Sequence, residues 1–108
     1  MAIKLPAPID IYFTSGNAND AAALEQCFAA DAMVRDEART LEGLAAIKAW
    51  RVETKRKYNF TAEPLAIVER DGKIVVTAKV SGSFPGSPID LDHIFEVQGD
   101  RIVSLEIG

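Results

Sequence analysis

The sequence contains few of the residues that build disulfides and metal centres. Its 108 residues include one cysteine, Cys27, and one histidine, His93. A single cysteine excludes an internal disulfide and the paired-cysteine spacings of structural zinc sites, so a zinc site would have to consist mainly of carboxylates. We therefore expect no metal and no other cofactor. Because Cys27 lies on a helical pattern, we expect its thiol to be buried and inert.

The chain also lacks long apolar runs. No window is apolar over the roughly eighteen residues that a membrane-spanning helix requires. The opening MAIKLPAPID has no charged start, apolar run and small-residue cleavage site of a secretory signal. With 48% hydrophobic and 26% charged residues, the composition is that of a globular protein. We expect a soluble, cytoplasmic protein in which residues 1–108 form one domain around one core, without a membrane partner.

Charge and glycine spacing argue against nucleic acids and nucleotides as ligands. The net charge is −4 and the pI about 4.9, which opposes the electrostatic attraction that drives nucleic-acid binding. The basic cluster Lys55-Arg56-Lys57 is predicted to be a solvated helix end, where cations complement the helix dipole. The glycines at 82, 86 and 99 do not have the spacing of a phosphate-binding loop, and no serine-hydrolase elbow motif is present.

Three helical patterns occupy the first half of the chain. The first has Pro8 in its first turn and ends in SGNAND, the second is capped by Asn19 or Asp20, and the third starts at Gly43. Each carries apolar residues three and four positions apart, which predicts one face packed on a core. These positions are Ile9, Tyr12 and Phe13, then Ala23, Leu24, Cys27 and Phe28, then Leu44, Ile47, Trp50, Thr54 and Tyr58.

Strand patterns fill the remainder. After Asp31 the period changes to two, with Val34, Asp36 and Ala38 on one side of a short strand. From Phe60 onward only strands and turns are predicted, and four strands joined by short connections form an antiparallel meander. They cover residues 65–69, 74–80, 89–97 and 101–107. The predicted fold class is α+β, with three N-terminal helices packed on a curved, mainly antiparallel sheet that forms a cone with an apolar pocket.

The strands are apolar at consecutive positions in the segments LAIV, IVV and RIV. Both faces of the sheet are therefore expected to be at least partly covered, which predicts a homodimer formed through the sheet. The alternative is a locally hydrophobic surface on a monomer.

The residue that suggests chemistry is Asp36. Because its neighbours on the same side of the strand, Val34 and Ala38, are apolar, alternation directs the carboxylate toward the helices, where loss of water makes a carboxylate a better general base. Tyr12, in the first helix, offers a phenol that could donate to an oxyanion on a bound carbonyl. The structural alternatives are that Asp36 is an acid paired with a neighbouring cation or backbone donor, and that Tyr12 is a core tyrosine. The predicted pocket wall consists of Tyr12, Phe28, Val34, Trp50, Phe60 and Phe84.

The strand DLDHIFEV adds two candidates on opposite faces. Alternation groups His93 with Leu91 and Phe95, which turns it inward, and directs Asp92 outward. A histidine on an apolar face is commonly a hydrogen-bonded core residue, yet it is the side chain that titrates nearest neutrality.

Together these motifs resemble the nuclear transport factor 2-like superfamily, in its SnoaL-like polyketide cyclase and ketosteroid isomerase branch. The resemblance covers nearly the whole chain. Its signature is FAADAMV leading to Asp36, then Gly43, AAI at 45–47 and Trp50, and four strands ending in DRIVSLEI.

The resemblance implies a mechanism. In ketosteroid isomerases an aspartate base moves the proton while a tyrosine and a protonated aspartic acid stabilise the enolate. Asp36 matches the base and Tyr12 the donor, and Asp92 matches the second acid if the strand is aligned without gaps, whereas a shift would put His93 or Leu91 there. The leading hypothesis is a cofactor-independent enzyme that abstracts a proton α to a carbonyl of a small apolar ligand. The alternative is a non-catalytic small-ligand-binding or dimeric interaction domain.

Overall fold

The computed structural model describes residues 4–18, 20–36 and 38–108. Helix α1 covers Ala7–Asn17, with Pro6 at its N-cap and Pro8 in its first turn. Proline is favoured there because the first amides of a helix have no intrahelical acceptor. Helix α2 covers Leu44–Tyr58 and starts after Gly43, whose φ of 87° suits a residue without a Cβ. Both helices start where the sequence predicts.

The second predicted helix is wrong in type and length. Only a 3₁₀ helix of six residues forms, Ala21–Gln26, and Asp20 at its N-cap makes no side-chain capping hydrogen bond. Asn19, the other predicted cap, lies outside the described residues. The carbonyl of Cys27 instead accepts a hydrogen bond from the amide of Ile102 at 2.7 Å. Pairing with a distant strand therefore ends the helix, and Phe28 already belongs to the sheet.

The sheet has six strands in the order β2-β1-β6-β5-β4-β3. They are β1 (Phe28–Asp36), β2 (Arg39–Glu42), β3 (Thr61–Arg70), β4 (Lys73–Ser81), β5 (Ile89–Gln98) and β6 (Arg101–Ile107). The pairing of β1 with β6 is parallel and the others are antiparallel, so the predicted four-strand meander is confirmed. The fold class, α+β with a curved open sheet, is also confirmed.

Strand β2 is missing from the sequence prediction. The chain reverses after Asp36 and passes through Ala38, whose φ is 65°, so that Arg39 pairs with Asp36 across a hairpin. Ala38 is therefore exposed in a turn and does not share a strand face with Val34 and Asp36, as alternation had suggested. Glu37, assigned to the opposite face of that strand, lies outside the described residues. The parity of Asp36 itself still follows Val34.

Lys55 corrects the prediction of a solvated basic cluster. It is buried, and its ammonium group donates a hydrogen bond to the carbonyl of Phe60, whereas Arg56 and Lys57 are exposed. Burial, and secondarily the neighbouring Arg51, lowers the pKa of Lys55. The last turn of α2 thus turns one cation inward.

The core lies between the helices and one face of the sheet, here called the inner face. Phe28, Val34, Val76, Phe95 and Leu105 are among its fully buried residues. Cys27 is buried as well, and burial raises the pKa of its thiol to about 12, which fits the predicted inert role. Within residues 4–18, 20–36 and 38–108, no helix has the length and apolar character needed to cross a bilayer.

Candidate active site

A partly open cavity of about 570 Å³ lies between the two α-helices and one end of the inner face. Pockets for small organic molecules have volumes of this order. Its wall is largely aromatic and aliphatic, and the polar groups on it come from α1, α2, the end of β1 and the middle of β5. Phe13, Trp50, Tyr58, Phe60, Phe84 and Leu91 make up much of the apolar wall.

Asp36 is the last residue of β1 and lines this cavity. It is half-buried, and its Oδ2 accepts a hydrogen bond from Nε1 of Trp50 at 3.0 Å. In the sheet it stands beside Ile107 of β6, and Ile107 stands beside His93 of β5. Since neighbouring strands are about 4.8 Å apart, the backbones of Asp36 and His93 are about 10 Å apart on the same face. The strand register brings both residues to the cavity.

Tyr12 reaches the cavity from α1 and is 3% exposed. Its ring makes edge contacts with Phe13, Phe28 and Phe95, with centroids 5.1, 5.9 and 5.5 Å away. Burial raises the pKa of the phenol, and the positive charge of the nearby Arg51 guanidinium partly offsets this rise. Tyr12 therefore stays protonated at neutral pH. Because a guanidinium can only donate, Arg51 cannot accept the phenolic proton, which stays available to a ligand in the cavity.

Arg51 is a cavity residue that the sequence prediction missed. Its guanidinium carbon lies 4.9 Å from the ring centroid of Tyr12, 4.7 Å from that of Trp50 and 5.0 Å from that of Phe60. A signal existed in the helical period, because Arg51 follows Ile47 by four residues and precedes Thr54 by three. A search for apolar periodicity does not count a charged residue, so it does not assign Arg51 to the buried face.

His93 is buried as predicted, with its ring parallel to that of Phe95. Its Nδ1 lies 3.2 Å from the carbonyl oxygen of Leu91, which can only accept, so Nδ1 carries the proton in the neutral ring. Burial lowers the pKa of His93 to about 4, although nearby carbonyls act in the opposite direction. At neutral pH the imidazole is uncharged.

This shift makes stability depend on pH. Between pH 6.5 and 4 the unfolded chain binds a proton at His93 that the folded chain does not, so acidification through this window removes about 3 kcal/mol of unfolding free energy. Above pH 6.5 His93 is uncharged in both the folded and the unfolded chain, so none of this free energy is lost. Urea unfolding at both ends of the window should show a larger loss for the parent protein than for His93→Gln, which shares the other titrating groups. Equal losses would contradict a depressed His93 pKa.

The remaining predicted site residues divide into two groups. Trp50, Phe60 and Phe84 line the cavity, together with Asp36, Tyr12 and His93. Phe28 and Val34 instead lie fully buried in the core and do not line it, because the ring of Tyr12 packs against Phe28 and helix α2 packs on strand β1.

Asp92 is not brought together with the other candidates. It lies on the opposite face of β5, exposed, and its Oδ1 accepts a hydrogen bond from Thr77 Oγ1 at 2.7 Å. Alternation along β5 explains this, since the inward position belongs to His93.

An α+β domain with a curved six-stranded sheet and an aromatic cavity under its helices belongs to the cone-shaped class typical of the nuclear transport factor 2-like superfamily. Residues 10–105 match the model of the SnoaL-like domain. The chain belongs to this family, which confirms the resemblance found in the sequence.

Solved structures agree with this assignment. A candidate polyketide cyclase from Sinorhizobium meliloti is 42% identical, with a TM-score of 0.91, over 96% of this chain and 95% of that one. A hypothetical protein with a ketosteroid isomerase-like fold from Catenulispora acidiphila, in complex with trimethylamine, is 20% identical with a TM-score of 0.83, over 97% and 86%. The second likeness concerns the fold alone. No curated protein matches the chain.

Proposed function

We propose that this protein is a cofactor-independent enzyme of the isomerase or cyclase type, which abstracts a proton α to a carbonyl of a small, largely apolar substrate. Asp36 is the general base and Tyr12 donates to the oxygen on which negative charge develops. The observation that carries the proposal is that a carboxylate and a protonated phenol line the same aromatic cavity. The likeness to a candidate polyketide cyclase at 42% identity gives further support.

The geometry around Asp36 suits a base. The indole of Trp50 holds one carboxylate oxygen and so restricts the rotation of the group, while the other oxygen can receive a proton. Arg51, the cation nearest the Tyr12 ring, has no acceptor atom, so it leaves the phenolic proton available for the substrate oxygen. His93 is uncharged and supplies wall and shape.

The assay that tests this function follows the isomerisation of β,γ-unsaturated ketones by the ultraviolet absorbance of the conjugated product. Catalysis that depends on Asp36 supports the proposal.

A non-catalytic binding domain is the second candidate, and one observation favours it. The hydrogen bond from Trp50 to Asp36 joins α2 to β1, which would be enough to account for a carboxylate at this position. In that case the parent protein would show no turnover, and neutralising Asp36 would change only the thermal stability.

We also propose a homodimer through the outer face of the sheet. Val68, Val75 and Ile94 stand side by side on β3, β4 and β5, where Val68 is 50% exposed, Ile94 is half-buried and Val75 is buried. An apolar row across three strands is suited to pairing with a second copy.

A substitution on this row tests the dimer. Val68→Glu should convert a dimer into a monomer, because an interface would have to bury an unpaired carboxylate. Sedimentation velocity reports the change. Val52→Glu is the matched control, since Val52 is 45% exposed on α2, away from the sheet. A parent protein that sediments as a monomer would refute the dimer.

A further inference from the structure

The Arg51 guanidinium carries a charge that the described protein does not neutralise. Arg51 is 3% exposed, and its Nε is buried without a hydrogen-bond partner. The ion pairs among residues 4–18, 20–36 and 38–108 join Arg39 to Glu53, Lys48 to Glu25, and Arg101 to Asp100, so none involves Arg51. An arginine remains protonated at any working pH, and a buried charge is costly unless it is paired.

The described neighbours of Arg51 attract a cation, but none of them forms an ion pair with it. Three aromatic rings surround the guanidinium. Gly16 of α1 also lies beside it, because a Cβ added to Gly16 would be 3.6 Å from Cζ of Arg51, which is van der Waals contact. Asp36 lines the same cavity, but it makes no ion pair with Arg51 and its Oδ2 is bonded to Trp50. Lys55, one turn further along α2, adds a second buried cation.

We infer that the cavity binds a carboxylate with an apolar body, whose negative charge pairs with the Arg51 guanidinium. The planar fork of a guanidinium matches a carboxylate in shape and charge. The aromatic wall formed by Trp50, Tyr58, Phe60 and Phe84 accommodates the apolar body.

The other polar groups of the wall favour a monoanion over a phosphate. The side-chain amide of Asn17 is committed to the backbone of Ala62 at 2.7 and 2.8 Å, and the Thr54 hydroxyl donates to the carbonyl of Arg51. Arg51 and the hydroxyls of Tyr12 and Tyr58 therefore remain as donors. A doubly charged phosphate with three oxygens would need more of them.

Binding of the acid does not depend on the proposed function. Its turnover does, because an apolar acid would then be the substrate class of that enzyme. Because the Arg51 guanidinium carbon lies 4.9 Å from the ring centroid of Tyr12, the reacting carbonyl and the carboxylate should be close together in the substrate. An apolar keto acid meets this requirement.

The test compares three ligands with the same hydrocarbon body: 4-phenylbutyrate, 4-phenylbutyramide and 4-phenylbutylamine. Calorimetry measures the affinity, and fluorescence reports occupancy because Trp50 is the sole tryptophan and lines the cavity. We expect the acid to bind about tenfold more tightly than the amide, and the amine more weakly still. Equal affinities of acid and amide, or no binding of the acid at about 1 mM, would overturn the inference.

Three substitutions locate the charge. Arg51→Met should abolish the preference for the acid, and Arg56→Met, at an exposed position of the same helix, should retain it. Without ligand, Arg51→Met should melt at the same or a higher temperature, because it removes an uncompensated buried charge. Arg51→Lys keeps the charge without the fork and should retain part of the preference if Arg51→Met does not fold. A preference for the acid that survives Arg51→Met would refute the assignment.

Asp36→Asn separates this inference from the proposed function. The variant should bind 4-phenylbutyrate more tightly than the parent protein, because a like charge leaves the same cavity. Tighter binding without any turnover by the parent protein would remove the enzymatic proposal and leave the carboxylate site in place. Unchanged or weaker binding would place the acid away from this cavity and overturn the inference.

Discussion

Asp36→Asn should lower kcat for a β,γ-unsaturated ketone by about three orders of magnitude, since a positioned general base contributes roughly 10²- to 10⁴-fold. Asparagine cannot accept the substrate proton at neutral pH. Its carbonyl oxygen can still accept the hydrogen bond from Trp50 Nε1, which the parent protein makes to Oδ2 at 3.0 Å. The architecture around the site should therefore be preserved, and the expected loss falls on kcat.

The control for this experiment neutralises a different carboxylate. Glu53 of α2 is exposed and paired with Arg39 at 2.8 Å, so Glu53→Gln changes net charge by the same amount without touching the cavity. It should leave kcat unchanged and alter stability by about 1 kcal/mol or less. If Asp36→Asn retains the activity of the parent protein, Asp36 is not the base. If it loses melting temperature alone, the structural role is correct.

Tyr12→Phe should lower kcat by about a hundredfold, corresponding to the loss of roughly 3 kcal/mol of transition-state stabilisation when an oxyanion donor is removed. The phenyl ring can keep the edge contacts with Phe13, Phe28 and Phe95, because only the hydroxyl is removed. The fold should therefore survive, with a change in unfolding free energy of about 1 kcal/mol.

Tyr58→Phe is the matched control for this substitution. Tyr58 lines the same cavity and pairs edge-on with Phe84, with centroids 5.8 Å apart. It should retain nearly full activity, because the mechanism does not use its hydroxyl. Equal rates for Tyr12→Phe and the parent protein would exclude Tyr12 as the donor.

Local sequence signals were sufficient for much of the fold. Pro8 and Gly43 mark the starts of the α-helices, and the Asp71-Gly72 and QGD turns separate long strands of regular alternation. These signals depend on backbone preferences within a few residues and therefore require no tertiary information. The parity of Asp36 and His93 follows from the same short-range rule.

The errors occur where distant segments compete with local preference. The segment 21–28 carries a helical period. The carbonyl of Cys27 nevertheless accepts a hydrogen bond from β6, and the segment forms a 3₁₀ helix followed by a strand. Strand β2 has only four residues, and its hairpin depends on a positive φ at Ala38. Alanine gives no sequence signal for such a turn, so alternation was extended across it.

The candidate site shows the same division. Tyr12, Asp36, Trp50 and His93 could be selected from residue type and periodicity. Arg51 and Lys55 could not, because a cation on a predicted helix is ordinarily solvated and only packing against other elements buries it. The aromatic rings that enclose Arg51 come from α1, from α2 and from the approach to β3.

The sequence by itself determined the α+β class, the meander of the last four strands, the family resemblance and the inward direction of Asp36, because periodicity and turn chemistry act over short distances along the chain. The tertiary structure alone decided which of these residues share a cavity, and that a guanidinium is buried there without a carboxylate partner among the residues the structure describes. Both depend on strand register and helix docking, which are set by contacts between segments far apart in sequence.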